Sequence, residues 1–479
     1  MSARPSVVVV GGGISGLAAA WELSGGTQGP SDATPRIEVI DVADRVGGTL
    51  RTATFDDLVV DQGADGFLAR RPEAVTFVRD LGWDDQLEAI DASGAWIYLR
   101  GHLDAIPTTL VLGVPTTATS LSTLRGLGRR AQWSLWRDRH LPRPCVVGDD
   151  ATIGDIIRAK LGDEVALQLV EPMIGGIQAG RIDDLSAAAV FPALLTAARA
   201  GGSLQKALSA SGPVPPGPAS ARSDGPTFFT LRHGVGSLPG EVERQLRARG
   251  VIFTLATPVT ALRRSPTSFY EWEVDTATTT TPANSVVVAT PPKITGRLLG
   301  QHDPALAAIG TIDAASAAMV TFAVPANEVH LPAEGTGVLV PLGTPYGDDT
   351  LMITALTFLD RKWPHLRRDG RILVRVHVGR SDDQRAQTMD DDALVARVRA
   401  ELNVLLGRWP HAGKTMVVRW HDGLPQYRPG HLERVERARE AASSLGLFLA
   451  GNAYDGVGVP ASIGSGRRAG RDALAALSS

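Results

Sequence analysis

The sequence predicts an α/β fold in which both ends of the chain build one parallel sheet. Residues 6–16 read SVVVVGGGISG, a β-branched run that ends in a glycine turn. Residues 447–460 read LFLAGNAYDGVGVP and repeat the same logic near the other end. Between them lie alternating runs that suit a separate antiparallel sheet, and a helical stretch rich in arginine and tryptophan.

Val7–Val10 is apolar and wholly β-branched, as a strand buried on both faces of a parallel sheet should be. It runs into Gly11-x-Gly13-x-x-Gly16 and a helical stretch, Leu17 to Leu23. Strand, tight glycine turn and helix, in that order, form the context in which this motif binds a dinucleotide. Gly11 permits the turn, Gly13 admits a pyrophosphate to the backbone, and Gly16 lets helix and strand approach closely. The helix N-terminus brings unsatisfied donors and partial positive charge to the phosphates. A glycine bend without a ligand is the other reading of these residues alone. Arg36 to Asp41 alternates and ends in an acid 25 residues after Gly16. Asp41 is placed to bond a ribose, or is a solvated strand end. Asp44-Arg45-Val46-Gly47-Gly48 follows as a second glycine turn, able to admit more backbone to a long cofactor.

At 479 residues the chain exceeds one simple core, so two or three intertwined domains are expected. A net charge of −3 argues against nucleic acid as the main partner. The single cysteine, Cys145, excludes an intramolecular disulfide and a cysteine metal cage, and suits a reducing cytoplasm. Met1–Pro5 leads directly into the first strand, so no secretion leader is expected. No apolar run is long enough to span a membrane.

Leu58–Phe67 predicts a strand breaking into a glycine turn, and Glu73–Gly82 a short helix with Pro72 in its first turn. Trp96–Leu99 and Leu103–Ile106 predict a hairpin. From 107 to 144, Trp133 and Trp136 alternate with Arg125, Arg129, Arg130, Arg137, Arg139 and Arg143, with Asp138 as sole acid. That pattern suits a lipid interface equally with a helix docked on its own protein. Thr152–Leu161 predicts a capped helix, Glu164–Ile174 a helix ending at Gly175-Gly176, and Leu185–Ala210 a largely helical stretch. Ser211–Pro226 reads as a linker. Further strands are expected at 227–231, 251–255, 259–263, 271–274, 285–290, 319–324, 338–340, 352–358 and 372–378, and helices at 238–247, 390–406 and 463–477. The expected division is 1–92 with 227–300 and 440–479 as a Rossmann-like nucleotide domain, and 93–106 with 301–439 as an antiparallel-sheet substrate domain. Residues 107–210 would form a helical subdomain open to membrane contact, and 211–226 the linker.

In the second anchor, the helix starting near Pro460 points its positive end above the turn, where a reduced flavin would carry negative charge. Gly464-Ser465-Gly466 echoes a nucleotide fingerprint, but no strand precedes it, so it reads as a helix packed closely on a neighbour. One nucleotide site and no redox cysteines imply reduction by the substrate and reoxidation by an external acceptor, most simply dioxygen.

These motifs resemble the protoporphyrinogen/coproporphyrinogen oxidase family, within the monoamine-oxidase-like flavoprotein group. The group is signalled by Gly11–Gly16, Asp41, Arg45–Gly48 and Asp61–Gly66. The family is signalled by Glu171–Gly180, Leu185-Ser186, Phe191-Pro192, Gly337–Pro341, Lys362-Trp363-Pro364, Val376–Gly379, Leu424–Tyr427 and Gly451–Gly458. Asp41 stands for the family's commoner Glu, Ala461-Ser462 departs from the usual residues, and Ala95 aligns where eukaryotic members carry a propionate-binding Arg.

The resemblance implies an FAD-dependent oxidase of haem biosynthesis, taking six electrons from coproporphyrinogen III to dioxygen. The alternatives are protoporphyrinogen IX oxidation, a flavin amine oxidase or carotenoid desaturase, and a non-catalytic accessory protein of haem synthesis. FAD would be held by Gly11, Gly12, Gly13, Ile14, Ser15, Gly16, Asp41, Arg45, Gly48, Gly63, Ala64, Asp65, Gly66, Val259, Trp420, Gly451, Val457, Gly458 and Val459. Gly176 would lie against the macrocycle. Arg70, Arg71 and Arg181 are the candidates for binding its carboxylates, since Arg forks match them. No catalytic side chain is assigned, because hydride transfer to flavin needs orientation more than an acid or base. His233, His365 and His421 are isolated, and no spacing suggests a metal. The expected setting is the cytoplasm, open to peripheral contact with the inner membrane face and transient contact with the next enzyme of haem synthesis.

Overall fold

A computed structural model describes residues 4–91, 94–120, 126–145, 147–210, 226–266 and 269–478. Five parallel strands form the first sheet, in the order Ile252–Thr254, Arg36–Ile40, Ser6–Val10, Ser285–Val288, Leu447–Leu449. Val7 to Val10 sit in the centre, paired with Ile37–Ile40 on one side and Ser285–Val288 on the other. Val7, Val8 and Val9 are wholly buried, each worth roughly 1.5–3 kcal/mol over an exposed valine. Both chain ends contribute, as expected.

Two helices cover one face of this sheet: Ile14–Leu23 and Val459–Ser478. They touch backbone to backbone. A Cβ on Gly466 would fall 2.0 Å from the Ser15 carbonyl oxygen, and one on Gly470 2.6 Å from that of Ala19. The second glycine cluster is therefore a packing surface. The last helix begins at Val459, beside the start expected near Pro460 and four residues before the 463–477 pattern, so its N-terminus sits directly on the 451–458 turn.

The second sheet has seven strands, in the order Lys414–Pro425, Ala314–Pro325, Arg371–Val378, Ile353–Phe358, Gly337–Leu339, Trp96–Leu99, His102–Ala105. It is antiparallel except at one junction, where Val338 pairs with Trp96 in parallel. The expected antiparallel sheet thus carries one parallel junction. The 96–105 hairpin joins over a long sequence distance, so no tight turn dictates its direction.

Between this sheet and the helical region lies Glu171–Gln178, preceded by a π-helical segment, Ala166–Val170. Its glycines do not end it: Gly175 and Gly176 are interior, and the helix stops at Ala179, with φ of 48°. A buried pair explains this, because Glu171 meets Arg380 and also accepts the Ile182 N–H, fixing both ends of the segment. Thr152 caps Ile153–Leu161 by accepting the Asp155 N–H. The expected helical stretch 185–210 divides into Ala187–Val190, Pro192–Arg199 and Leu204–Ala210. Apart from Pro226, the expected linker lies outside the described residues, as do Leu121, Leu124 and Arg125.

Candidate active site

The first glycine turn leaves the carboxyl end of the central strand, where open parallel sheets bind ligands. Gly11 has φ of 110°, and a Cβ there would lie 2.5 Å from the Ala289 carbonyl oxygen. A Cβ on Gly16 would fall 1.8 Å from the Gly11 carbonyl oxygen. At Gly13 it would meet nothing within 4 Å, so this glycine opens space instead of filling it. Gly13 starts the helix without any side-chain cap, and Ile14 and Ser15 form its first turn. Asp41 binds two turns together: its carboxylate accepts the N–H groups of Gly12 and Ala43 (2.7 Å for Ala43). Gly47 donates to the Gly12 carbonyl at 2.8 Å, and Gly48 lies against Gly13. Arg45 serves this second turn from within, donating to the carbonyls of Val46 and Gly48 at 2.9 Å each.

The remaining predicted cofactor residues gather at the same end of the sheet. Thr257 donates to the Asp41 carbonyl at 2.8 Å, which brings buried Val259 beside that turn. Trp420 donates from Nε1 to Gln62 at 2.8 Å, and its ring lies 3.9 Å from where a Gly63 Cβ would stand. Gly66 is pinned by the Trp363 ring, 2.5 Å from its would-be Cβ, and Ala64 between them is exposed. Gly451 and Gly458 have φ of 141° and 97°, conformations that favour glycine, with Val457 and Val459 flanking Gly458. Arg439 and Arg468 grip Asp455 at 2.6 and 2.7 Å and hold this turn from below. An uncapped helix N-terminus, an open glycine cradle and a second helix start beside it fit the pyrophosphate and ring of FAD.

Gly176 lines a cavity of about 220 Å³ between its helix and the seven-stranded sheet. Ala95, Met173, Ile177, Leu339 and Leu356 supply apolar wall, and Asp65, Lys362, His377 and Thr357 a polar end. A Cβ on Gly176 would meet only Leu339 Cδ2, at 3.5 Å. Packing therefore does not demand glycine here.

Asp65 lies at the polar end of this cavity. It pairs with Lys362 Nζ at 3.0 Å and accepts Trp363 Nε1–H at 3.2 Å. Burial pushes its pKa up, but Lys362 and Arg375 overcome this and hold it well below the usual carboxylate range. Burial and the Arg375 charge lower His377 to about 4, so it is neutral, with Nε2 3.3 Å from Thr357 Oγ1. Asp61 is pushed up to about 7 by burial, against the N–H groups of Val235 and Gly236 that it accepts.

None of the three predicted carboxylate anchors lines this cavity. Arg71 pairs with Glu73 at 3.1 Å beside its helix start, and Arg70 next to it is exposed. Arg181 is held by Asp183 and Asp382 at 3.3 and 3.4 Å. Residue type alone selected them, and acids pair with Arg71 and Arg181 in the structure. His365, expected to be isolated, pairs with Glu88. Lys362 and His377 were missed as site residues, although both stand in motifs quoted for the resemblance.

A parallel nucleotide sheet with a glycine cradle, set against a second sheet that lines a partly apolar cavity, defines a flavin-dependent oxidoreductase. Residues 14–474 match the model of the flavin-containing amine oxidoreductases, and the chain belongs to that family. It is 32% identical to the coproporphyrinogen III oxidase of Bacillus subtilis (strain 168) over 99% of each chain. It is 33% identical to the coproporphyrinogen III oxidase of Mycobacterium leprae, over 97% of each. Among solved structures it resembles one from Exiguobacterium sp. 255-15, provisionally assigned as a protoporphyrinogen oxidase. The TM-score is 0.85 at 28% identity, covering 99% of this chain and 100% of that one.

Proposed function

We propose that the protein oxidises coproporphyrinogen III to coproporphyrin III in haem biosynthesis. Full-length similarity to coproporphyrinogen III oxidases supports the substrate. Within the structure, one observation carries the reading: a glycine that packing does not demand, lining a cavity at the junction of helix and sheet. Bound in the glycine cradle, FAD supplies hydride acceptance and return of electrons to dioxygen, six electrons per macrocycle leaving as three hydrogen peroxide. The chain's own residues bind and orient. Met173, Ile177, Leu339 and Leu356 offer apolar faces to a flat ring, and neutral His377 places no charge against it. Protoporphyrinogen IX is the second reading, favoured by the name of the Exiguobacterium structure. Aerobic turnover of purified protein tests the proposal: porphyrin fluorescence should rise with three peroxide per porphyrin, and a colourless protein that gains no flavin would refute it.

The helix Arg129–His140 supports a peripheral membrane contact as part of this reading. It docks on its own protein through Ala131, Leu135 and Asp138, yet turns Trp133 (55% exposed) and Trp136 (45%) outward. Arg137 lies 5.1 Å over the Trp133 ring, and Leu141 is exposed beside them. Rings at headgroup depth with cations between them suit anionic lipid. Among the described residues no helix is long and apolar enough to cross a membrane. Product would leave by transient contact with the next enzyme of haem synthesis.

A further inference from the structure

The cavity at Gly176 has one lysine or arginine among its lining residues, Lys362. Its ammonium, on a side chain 16% exposed, lies 3.0 Å from Asp65 Oδ1 and near the rings of Trp363 and Phe228, at 4.9 and 5.5 Å. Arg375, 2% exposed, stands 3.9 Å from the other Asp65 oxygen. Two cations thus share one carboxylate, and His377 beside them is neutral. Asp61, the next acid, points its oxygens at the Val235 and Gly236 N–H groups and offsets only part of that surplus. The polar end of an otherwise apolar cavity is therefore short of negative charge.

We propose that Lys362 is the anchor for one side-chain carboxylate of the substrate, presented to it by Asp65 and Arg375. This rests on the porphyrinogen reading above. At about 220 Å³ the cavity is smaller than the roughly 300–1,000 Å³ that encloses a drug-sized ligand, so a tetrapyrrole enters by one edge. One carboxylate meets Lys362, and the others stay at the mouth or beyond. Asp65 keeps the ammonium in place when the site is empty of substrate, and a second carboxylate completes the neutralisation when it arrives.

Binding of coproporphyrin III to the holoenzyme, followed by porphyrin fluorescence, tests this on wild type, Lys362→Arg, Lys362→Met and the double variant Lys362→Met/Asp65→Asn. The double variant removes both charges and leaves no buried carboxylate unpaired. Both Met variants should bind about 10–100-fold more weakly, and Lys362→Arg within about 3-fold of wild type. The tetramethyl ester should bind all four proteins alike. Equal affinity for the free acid across the set, or equal loss for acid and ester, would overturn the anchor. Wild type that oxidises coproporphyrinogen while the variants bind as it does refutes the anchor alone. Wild type that neither binds nor oxidises refutes the porphyrinogen reading with it.

Discussion

The two neighbouring glycines of helix Glu171–Gln178 should respond oppositely to alanine. A Cβ on Gly176 has ordinary contact at 3.5 Å, and an interior helical glycine costs about 1 kcal/mol relative to alanine. Gly176→Ala should therefore be as stable as wild type, or about 1 kcal/mol more so, worth about 1 °C in a chain of this length. The same methyl enters the substrate cavity, where overpacking costs about 1–3 kcal/mol, so KM for the porphyrinogen should rise about 5–150-fold. At Gly175 the added Cβ lies 2.8 Å from Arg380 Nη2. Arg380 is 4% exposed and bound to Glu171, itself 1% exposed, so it can yield only by leaving a buried carboxylate. That costs about 3–5 kcal/mol, and Gly175→Ala should melt about 3–5 °C lower. Thermal unfolding and steady-state kinetics on both variants decide the matter. A Gly176→Ala protein that melts as low as Gly175→Ala, or that keeps its KM, would refute the reasoning.

Other outcomes follow from the same geometry. Gly16→Ala drives a methyl into the Gly11 carbonyl and Gly466→Val one into that of Ser15, so both should purify with little or no flavin absorbance. His377 and His431 fold with pKa values lowered to about 4, chiefly by burial, while the unfolded chain takes up these protons near 6.5. Stability from these two is thus complete above about pH 6.5 and lost as pH falls towards 4, so the urea midpoint should drop between pH 7 and pH 5. A midpoint that holds or rises would contradict it. Trp133→Ser/Trp136→Ser should weaken sedimentation with anionic vesicles and leave turnover in solution unaltered; equal vesicle binding would remove the membrane contact.

What the sequence made legible is what local chemistry fixes. Val7–Val10 and Val286–Val288 are β-branched runs that only a doubly covered strand accommodates, and glycines at fixed spacing mark the turns at their ends. Long-range pairing was not legible. Gly175-Gly176 reads as a helix stop until Arg380, far along the chain, ties down Glu171. His431–Ser444 passed unnoticed because its buried stripe is only His431, Val435, Ala438 and Ala442 in a charged helix. Lys414–Pro425 is an edge strand, mostly half-exposed, so no alternation announces it. The polar end of the cavity joins residues 65, 362 and 377, and no spacing relates them. Arg71 and Arg181 were chosen by residue type, and in the structure each pairs with a neighbouring acid, Glu73 and Asp183.

Anaerobic mixing of the flavin-loaded protein with coproporphyrinogen III, side by side with protoporphyrinogen IX, tests the proposed chemistry most directly. The flavin's visible absorbance should bleach with both and faster with coproporphyrinogen III, and equal rates would defeat the preference between the two substrates. Absorbance that survives both substrates would contradict the reading of this site.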